Sequence, residues 1–357
     1  MSVSTTQQRS ASGSAEATTR SGLVEGRRTR ILGLVAAVVV LAFAVVLSIV
    51  LGSKSLAIHT VFDAMFHFDR NDIDHTVVRE LRVPRTLIGL GVGVALGLAG
   101  AVMQGVSRNP LADPGILGVN AGAALFVLVA VHFFSVTTLL GYVWWAFAGA
   151  AVSAVFVYVV ASVGREGATP IKLALAGTAI TALLTSMTNM VQLLDVRTMD
   201  AYRSWAVGSL AGRDADIAWD VWPFIAVGVV LALSSARMLN TLALGDDVAR
   251  SLGLNVSRAR IICGLGVVIL AGAATAAAGP IVFIGLTVPH IARAIVGPDY
   301  RWILPYSAVL APVLFLAADI VGRLVVKPAE LQVGIVTALL GAPVFVALVR
   351  RRSLASL

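Results

Sequence analysis

Carboxylates and imidazoles occur together in one polar stretch of this otherwise apolar sequence, between Lys54 and Glu80. Asp63 and His67 are spaced i, i+4, and His75 follows them. Carboxylate oxygens and imidazole nitrogens can ligate transition metals, so a metal site is one interpretation of this stretch. The other interpretation is a solvated polar loop, and it is the one we favour. The single cysteine, Cys263, offers neither a disulfide framework nor a thiolate site, so we expect no metal on this chain.

A second candidate is Asp319, which lies in an apolar stretch four residues before Arg323. A carboxylate within a membrane is a functional candidate by default and is typical of ion-coupled carriers. An i, i+4 pair with Arg323 would satisfy the charge on a helix, and we expect this pair. No His, Asp and Glu residues converge in a pattern typical of catalysis. We therefore predict no catalytic residues and no enzyme.

The elements that carry these residues are predicted from long apolar runs. Hydrophobic residues make up 58% of the 357 residues and charged residues only 13%, too few for a soluble surface. About 20 apolar residues are needed to cross a bilayer. The charge-free runs are Ile31–Ser53, Thr86–Ser107, Pro114–Gly164, Leu173–Leu194, Val221–Ala236, Ile261–Ala292, Trp302–Ala318 and Leu331–Val349.

Two of these runs are too long for one helix. Pro114–Gly164 has the length of two spans, and Gly279-Pro280 divides Ile261–Ala292. The sequence therefore predicts an all-α membrane protein with ten transmembrane helices over residues 31–352. Residues 1–30 are rich in Ser, Thr, Ala and Arg, and we interpret them as a disordered cytoplasmic tail.

The charge pattern predicts the orientation of the spans. With ten spans both termini lie on one side, and the segments on that side carry a clear excess of Lys and Arg over Asp and Glu. Positive charge favours the cytoplasm, so we expect both termini there. This bias explains the net charge of +8 without a nucleic-acid partner. Arg79, Arg82 and Arg85 break the trend by clustering on the outer side. Lipid headgroups, pairing with Glu80 or an acidic partner docking from outside could each compensate them.

Three cytoplasmic or broken segments have patterns that suggest function. Segment 238–259 contains a predicted short helix from Asp246 to Leu252, ended by Gly253, and could form a handle for a partner or an ordinary capped loop. Segment 107–115 has two prolines and a glycine, which predict a rigid turn. Segment 279–293 is interrupted by prolines, as are membrane helices beside a path or a moving joint. A stripe of small residues in the second span predicts close helix packing; its members are Gly89, Gly93, Gly97 and Gly100.

At these segments the sequence resembles the FecCD family of ABC permeases. The resemblance extends over residues 31–350 and is carried by five stretches in family order: RVPRTLIGLGVGVALGLAGAVMQGVSRNPLADPGILGVNAGA from Arg82, LALGDDVARSLGLNV from Leu242, GPIVFIGLTVPHIAR from Gly279, LAADIVGR from Leu316 and ELQVGIVTALLGAPVFVALV from Glu330. The family's members import ferric siderophores, haem and cobalamin. The resemblance implies the type II ABC importer permease fold, in the bacterial cell membrane.

The resemblance also implies partners. They are an ABC ATPase subunit, an extracytoplasmic substrate-binding protein, a second permease subunit (identical or paralogous) and membrane lipid. The chain lacks the ATP-binding pattern G-x-x-x-x-G-K-[ST]. ATP and Mg are therefore expected on the partner ATPase, and no cofactor on this chain.

Three sets of residues carry over from the family's motifs. The expected contacts to the binding protein are Arg82, Arg85 and Arg323. The expected coupling residues toward the ATPase are Leu244, Gly245, Asp246, Asp247, Ala249, Arg250, Leu252 and Gly253. The expected cytoplasmic gate residues are Asn109, Thr169 and Pro170. At Thr169-Pro170 the sequence departs from the family's Ser/Thr-rich pattern.

The favoured function is a permease for ferric siderophore import, coupled to a separate ATPase. Haem and cobalamin are the alternative cargoes, because the quoted motifs serve docking, coupling and gating and do not identify the cargo. An ion-coupled secondary transporter is the rival class. It would need several carboxylates within the spans, and the sequence places only Asp319 there.

Overall fold

The computed structural model describes residues 26–136, 138–164, 168–193, 202–203, 205–327 and 329–353, and the statements below concern these residues. Every regular element in them is helical. The helices are α1 (Arg27–Val50), α2 (Ile58–Phe66), α3 (Ile73–Thr76), α4 (Val83–Ser107), α5 (Val119–Phe134), α6 (Leu139–Ser162), α7 (Pro170–Gln192), α8 (Ala215–Ser234), α9 (Ala236–Ala243), α10 (Asp246–Ser251), α11 (Val256–Ala278), α12 (Ile284–Val296), α13 (Tyr300–Val325) and α14 (Val333–Ser353).

The apolar runs form helices where the sequence predicts them. Seven helices in the described residues are long and apolar enough to cross a membrane, and Val119–Phe134, Ile284–Val296 and Val333–Ala347 are shorter apolar stretches. The predicted breaks are present, since α5 is separate from α6 and α11 ends at Ala278. Large apolar side chains are exposed on the helix surfaces, Leu32, Val39 and Phe43 of α1 among them. Such surfaces suit a lipid environment rather than water.

The structure differs from the predicted boundaries in two places. α1 begins at Arg27, so the last four residues of the predicted tail 1–30 are helical, while residues 1–25 lie outside the described residues. The stretch predicted as a polar outer loop, Lys54–Glu80, contains α2 and α3. From α3 a π-helical segment, Val77–Arg82, continues into α4, giving one helix over Ile73–Ser107. The second span therefore has a polar helical extension.

Helix α4 lies at the centre of the packing and is buried over most of its length. The predicted glycine stripe faces its neighbours closely, which confirms the packing interpretation. A Cβ at Gly93 would lie 2.7 Å from the backbone nitrogen of Pro312 in α13. A Cβ at Gly97 would lie 2.6 Å from the carbonyl oxygen of Ser307. Hydrogen at these positions is what lets α13 approach α4 so closely.

Candidate functional site

A cluster of arginines at the N-terminal end of α4 caps the C-terminal end of α1. The last carbonyls of a helix have no partner within it and must find donors elsewhere. Arg82 and Arg323 supply these donors at 2.6–2.9 Å. The accepting carbonyls belong to Ser48, Ile49, Val50 and Leu51. Two cations at a helix C-terminus are also favoured by the helix dipole.

Arg85 connects this cluster to two acidic residues. Its guanidinium donates to both carboxylate oxygens of Asp319, the shortest contact being 2.8 Å, and to Glu330 at 2.6 Å. Asp319 also pairs with Arg323 at 3.1 Å, which confirms the predicted i, i+4 pair. Burial alone would raise the pKa of Glu330, but the hydrogen bond and charge of Arg85 outweigh it and hold that pKa below its ordinary value.

The predicted docking arginines are therefore committed to contacts within the chain. Arg82 is 5% exposed and Arg323 is 2% exposed. The side chain of Arg85 is 12% exposed and is shared between two carboxylates. Their role toward a binding protein stays a prediction. Their position shows a structural role that the sequence motifs did not indicate.

At the opposite end of α4, Asp246 joins three segments that are far apart in sequence. Its carboxylate accepts from Arg108 at 2.8 Å and from Arg260 at 2.8 and 3.1 Å. Arg260 also donates to the carbonyl of Ala168 at 3.2 Å. We call these four residues the Asp246 network. It ties the start of α10 to the loop after α4, to α11 and to the loop before α7.

The predicted short helix is confirmed as α10, and it has two faces. Leu244, Val248 and Leu252 follow one another at i, i+4 spacing and are 59%, 47% and 64% exposed. Ala249 is fully buried on the other face. It packs in a small cluster with Leu242, Val256 and Ala259. Of the predicted coupling residues, Leu244 and Leu252 thus belong to an exposed apolar stripe that Val248 completes, and Ala249 faces inward. Asp247 and Arg250 form an exposed ion pair at 3.0 Å.

Glycine sets both ends of this helix. Gly245 and Gly253 have φ angles of +101° and +82°, which L side chains rarely adopt. After the helix, Gly253 donates to the Arg250 carbonyl and Leu254 donates to the Ala249 carbonyl. This is the Schellman arrangement, which ends a helix abruptly. The exposed stripe is therefore carried on a short, firmly bounded element.

The predicted gate residues lie beside the Asp246 network. Asn109 is exposed and its side chain accepts from the Leu111 amide at 3.0 Å, which fixes the turn after α4. Arg108, directly before it, has a φ of +50°. Thr169 is the N-cap of α7 and Pro170 is its first residue. Both predicted gate loops are thus adjacent in sequence to a member of the network, Arg108 in one case and Ala168 in the other.

A proline in α12 is compensated by a buried amide. Pro289 has no N–H, so the carbonyl of Gly285 loses its helical partner. Gln104 of α4 is 1% exposed and donates to the carbonyl of Leu286 at 3.1 Å, with Gly285 at 3.5 Å. The interrupted turn of α12 is therefore held against α4.

The candidate metal ligands do not form one group. Asp63 and His67 form an exposed pair along α2 at 3.9 Å. His75 is buried, and its Nδ1 accepts from the Asp69 amide at 3.1 Å. Across the described residues, no three His, Cys, Asp or Glu side chains are arranged to hold a metal ion.

A match over most of the sequence identifies the family. The model of the FecCD transport family matches residues 39–351. The chain belongs to this family. Its members are permease subunits of ABC transporters, and this FecCD permease is therefore an integral membrane protein and no ATPase itself.

The relatives of this FecCD permease are named for different cargoes. It is 41% identical to the probable siderophore transport system permease protein YfiZ of Bacillus subtilis, over 89% of this chain and 95% of that one. It is 43% identical to the ferric enterobactin transport system permease protein FepD of Escherichia coli, over 91% and 97%. The hemin transport system permease protein HmuU of Yersinia pestis is 38% identical, over 87% and 95%.

A solved structure supports the fold. A metal-chelate type ABC transporter in an inward-facing conformation matches the FecCD permease with a TM-score of 0.78 and 26% identity. The match covers 90% of this chain and 99% of the other.

Sequence reasoning missed several members of these sites. Arg108, Arg260 and Gln104 of this FecCD permease were not singled out, although each contacts a predicted element. The sequence did contain a signal for two of these residues. Arg108 and Gln104 stand at the end of a long apolar run, where a large polar side chain needs a partner in the fold.

Proposed function

We propose that this chain is the membrane-spanning permease subunit of an ATP-driven importer that carries a ferric siderophore into the cell. The observation that supports coupling is the Asp246 network. It connects an exposed apolar stripe, on which a partner can act, with the two loops that carry Asn109 and Thr169. The permease names of the relatives support the cargo class, several of them naming siderophore or iron.

The proposed topology has ten spans with both termini in the cytoplasm. The seven long helices are joined by the three shorter apolar helices, α5, α12 and α14. The excess of positive charge on the side of the termini supports the orientation. In this arrangement the arginine cluster faces outward and the Asp246 network faces the cytoplasm.

The proposed mechanism needs no covalent chemistry on this chain. Two permease subunits enclose one path, and two ATPase subunits bind the exposed stripes of α10. ATP binding brings the ATPases together and moves α10. Asp246 passes this movement to Arg108 and Arg260 through charge-assisted hydrogen bonds, which hold geometry better than neutral ones. The loops with Asn109 and Thr169 then shift and open or close the cytoplasmic end of the path.

The rival ion-coupled carrier gains no support from Asp319. This carboxylate is 1% exposed, and its oxygens are already engaged by Arg85 and Arg323, so the structure leaves no free carboxylate here for a coupling ion. Uptake should stop when ATP is depleted and continue when an uncoupler collapses the proton gradient. Uptake that survives ATP loss in sealed vesicles would contradict the proposal.

The cargo is tested with a panel of chelates. Cells with and without the gene are given radiolabelled iron as several ferric siderophores and as haem, and labelled cobalamin in parallel. In cells without the gene, we expect uptake of iron from one siderophore class to be lost. Selective loss of haem or cobalamin uptake would assign the alternative cargo, while leaving the permease assignment in place.

A further inference from the structure

We infer that a cavity beside the arginine cluster binds a carboxylate group, with Arg213 as the residue that receives it. The cavity has a volume of about 310 Å³. It lies between the end of α1, the π-helical segment before α4 and the loop before α8. Its charged lining residues are Lys54, Arg82, Arg85, Arg213, Arg323 and Glu330.

Arg213 carries the inference because it is a buried charge with an unused donor. It is 3% exposed, and its Nε donates to the Ser209 carbonyl at 3.2 Å. Its Nη1 is buried and has no hydrogen-bond partner among the described residues. Burial lowers the pKa of Arg213 to about 10, so the group is still charged at neutral pH. A buried guanidinium without an acidic partner is costly, and an anion would remove that cost.

The other cations of the cavity already have partners. Lys54 pairs with Asp74, and Arg85 is shared between Asp319 and Glu330. The remaining two arginines close the end of α1 as described above. The Nε of Arg323 is a second buried donor without a partner in the described residues. Two unused guanidinium donors thus belong to residues that line the same cavity.

The size and charge of the cavity favour a carboxylate. Its volume of about 310 Å³ is far above the roughly 10–15 Å³ that one water needs, so it has room for a carboxylate on a short chain with several waters. A planar carboxylate matches the fork of a guanidinium. Glu330 in the wall disfavours a doubly charged anion such as phosphate. A single negative charge is therefore the better fit.

Two sources could supply this carboxylate. One is an acidic side chain of the docked substrate-binding protein, and this source rests on the proposed function. The other is a free carboxylate from solution, which does not depend on it. The experiment below tests the binding of the group first and its source second.

Thermal unfolding of the purified full-length chain tests the site directly. The wild type, Arg213→Met, Arg213→Lys and Arg79→Met are compared in sodium acetate and in sodium chloride of equal ionic strength at neutral pH. Arg79 is the control because it is an exposed arginine that does not line the cavity. A ligand that binds the folded state raises Tm, here by about 2–4 °C for occupancy near saturation.

We expect acetate to stabilise the wild type and Arg79→Met, and Arg213→Lys to keep part of the effect. Arg213→Met should lose the acetate effect and should be at least as stable as the wild type in chloride, since it removes an unsatisfied buried charge. A wild type that acetate does not stabilise beyond chloride would overturn the inference. An equal acetate effect in Arg213→Met would also overturn it.

Docking of the binding protein then identifies the source. If Arg213→Met and acetate each weaken docking at least tenfold, the carboxylate is a side chain of the binding protein. If acetate stabilises the chain but docking is unchanged, the carboxylate comes from solution. ATP-dependent uptake by the wild type is measured in parallel. A failed acetate test with normal uptake would therefore reject the carboxylate site and leave the proposed function standing.

Discussion

Replacing Asp246 by Asn removes one negative charge that two arginines share. The side chain of Arg260 is 9% exposed, and after the change it keeps only neutral acceptors, the amide oxygen of the new Asn and the Ala168 carbonyl. Removing one partner of a fully buried ion pair costs about 3–5 kcal/mol. Asp246 is 22% exposed and Arg108 is 36% exposed, so we expect solvent screening to reduce this cost to about 1–3 kcal/mol.

We expect the free energy lost in this change to be the free energy that couples α10 to the two gate loops. A coupling free energy of about 1–3 kcal/mol corresponds to a factor of about 5–150. The assay is reconstitution with the ATPase and the binding protein in liposomes, with ATP hydrolysis and iron uptake measured in the same vesicles. Asp246→Asn should transport at least about fivefold less chelate per ATP hydrolysed. The ATPase should still co-purify, because the exposed stripe is unchanged.

The neighbouring residue provides a matched control. Asp247→Asn makes the same chemical change one residue away, where the side chain is 98% exposed and its partner Arg250 is 60% exposed. Because Asp247 is itself a predicted coupling residue, co-purification of the ATPase is measured for this variant as well. Asp247 lies outside the Asp246 network, so with the ATPase bound we expect transport per ATP hydrolysed near the wild-type value. A double-mutant cycle with Arg260→Gln isolates the interaction free energy between Asp246 and Arg260. An Asp246→Asn transporter with the same coupling as Asp247→Asn would refute the role of the network.

Three further predictions test other parts of the account. Gln104→Leu removes the donor to the Leu286 carbonyl and to the Gly285 carbonyl that Pro289 frees, and should lower the free energy of unfolding by about 1–3 kcal/mol, read as a lower Tm of the solubilised protein; an unchanged Tm would contradict this. Val248→Asp places a charge in the exposed stripe of α10 and should abolish co-purification of the ATPase while the chain still folds. The pair of Glu330 with Arg85 stabilises the fold above the ordinary carboxyl pKa and is lost as pH falls through the depressed pKa of Glu330. The Tm of Glu330→Gln should therefore fall less than that of the wild type between neutral and acidic pH. Parallel plots of Tm against pH for the two proteins would argue against this pair.

The helices could be predicted from the sequence because apolar runs between charged or proline-rich segments have few alternatives in a membrane. Local pairs could be predicted because their members are close in sequence, as Asp319 and Arg323 are one helical turn apart. The short helix from Asp246 also followed from local signals, with Gly245 before it and Gly253 after it.

The site contacts could not be predicted because they join distant segments. Arg85 meets Asp319 across 234 residues, and Arg108 meets Asp246 across 138. The motif that marked Arg82 as an outer arginine gave no sign that it closes the end of α1. The extension of the second span over Ile73–Arg82 was missed because the spans were predicted from charge-free runs and this stretch is charged, although Ile73, Val77 and Leu81 recur at helical spacing.

The most direct test of the central claim is uptake of a radiolabelled ferric siderophore into liposomes that contain this chain, its ATPase and its binding protein. We expect accumulation that requires ATP on the side of the membrane where the ATPase lies, persists with an uncoupler, and falls sharply in Asp246→Asn but not in Asp247→Asn. Accumulation without ATP, or accumulation driven by a proton or sodium gradient, would contradict the account.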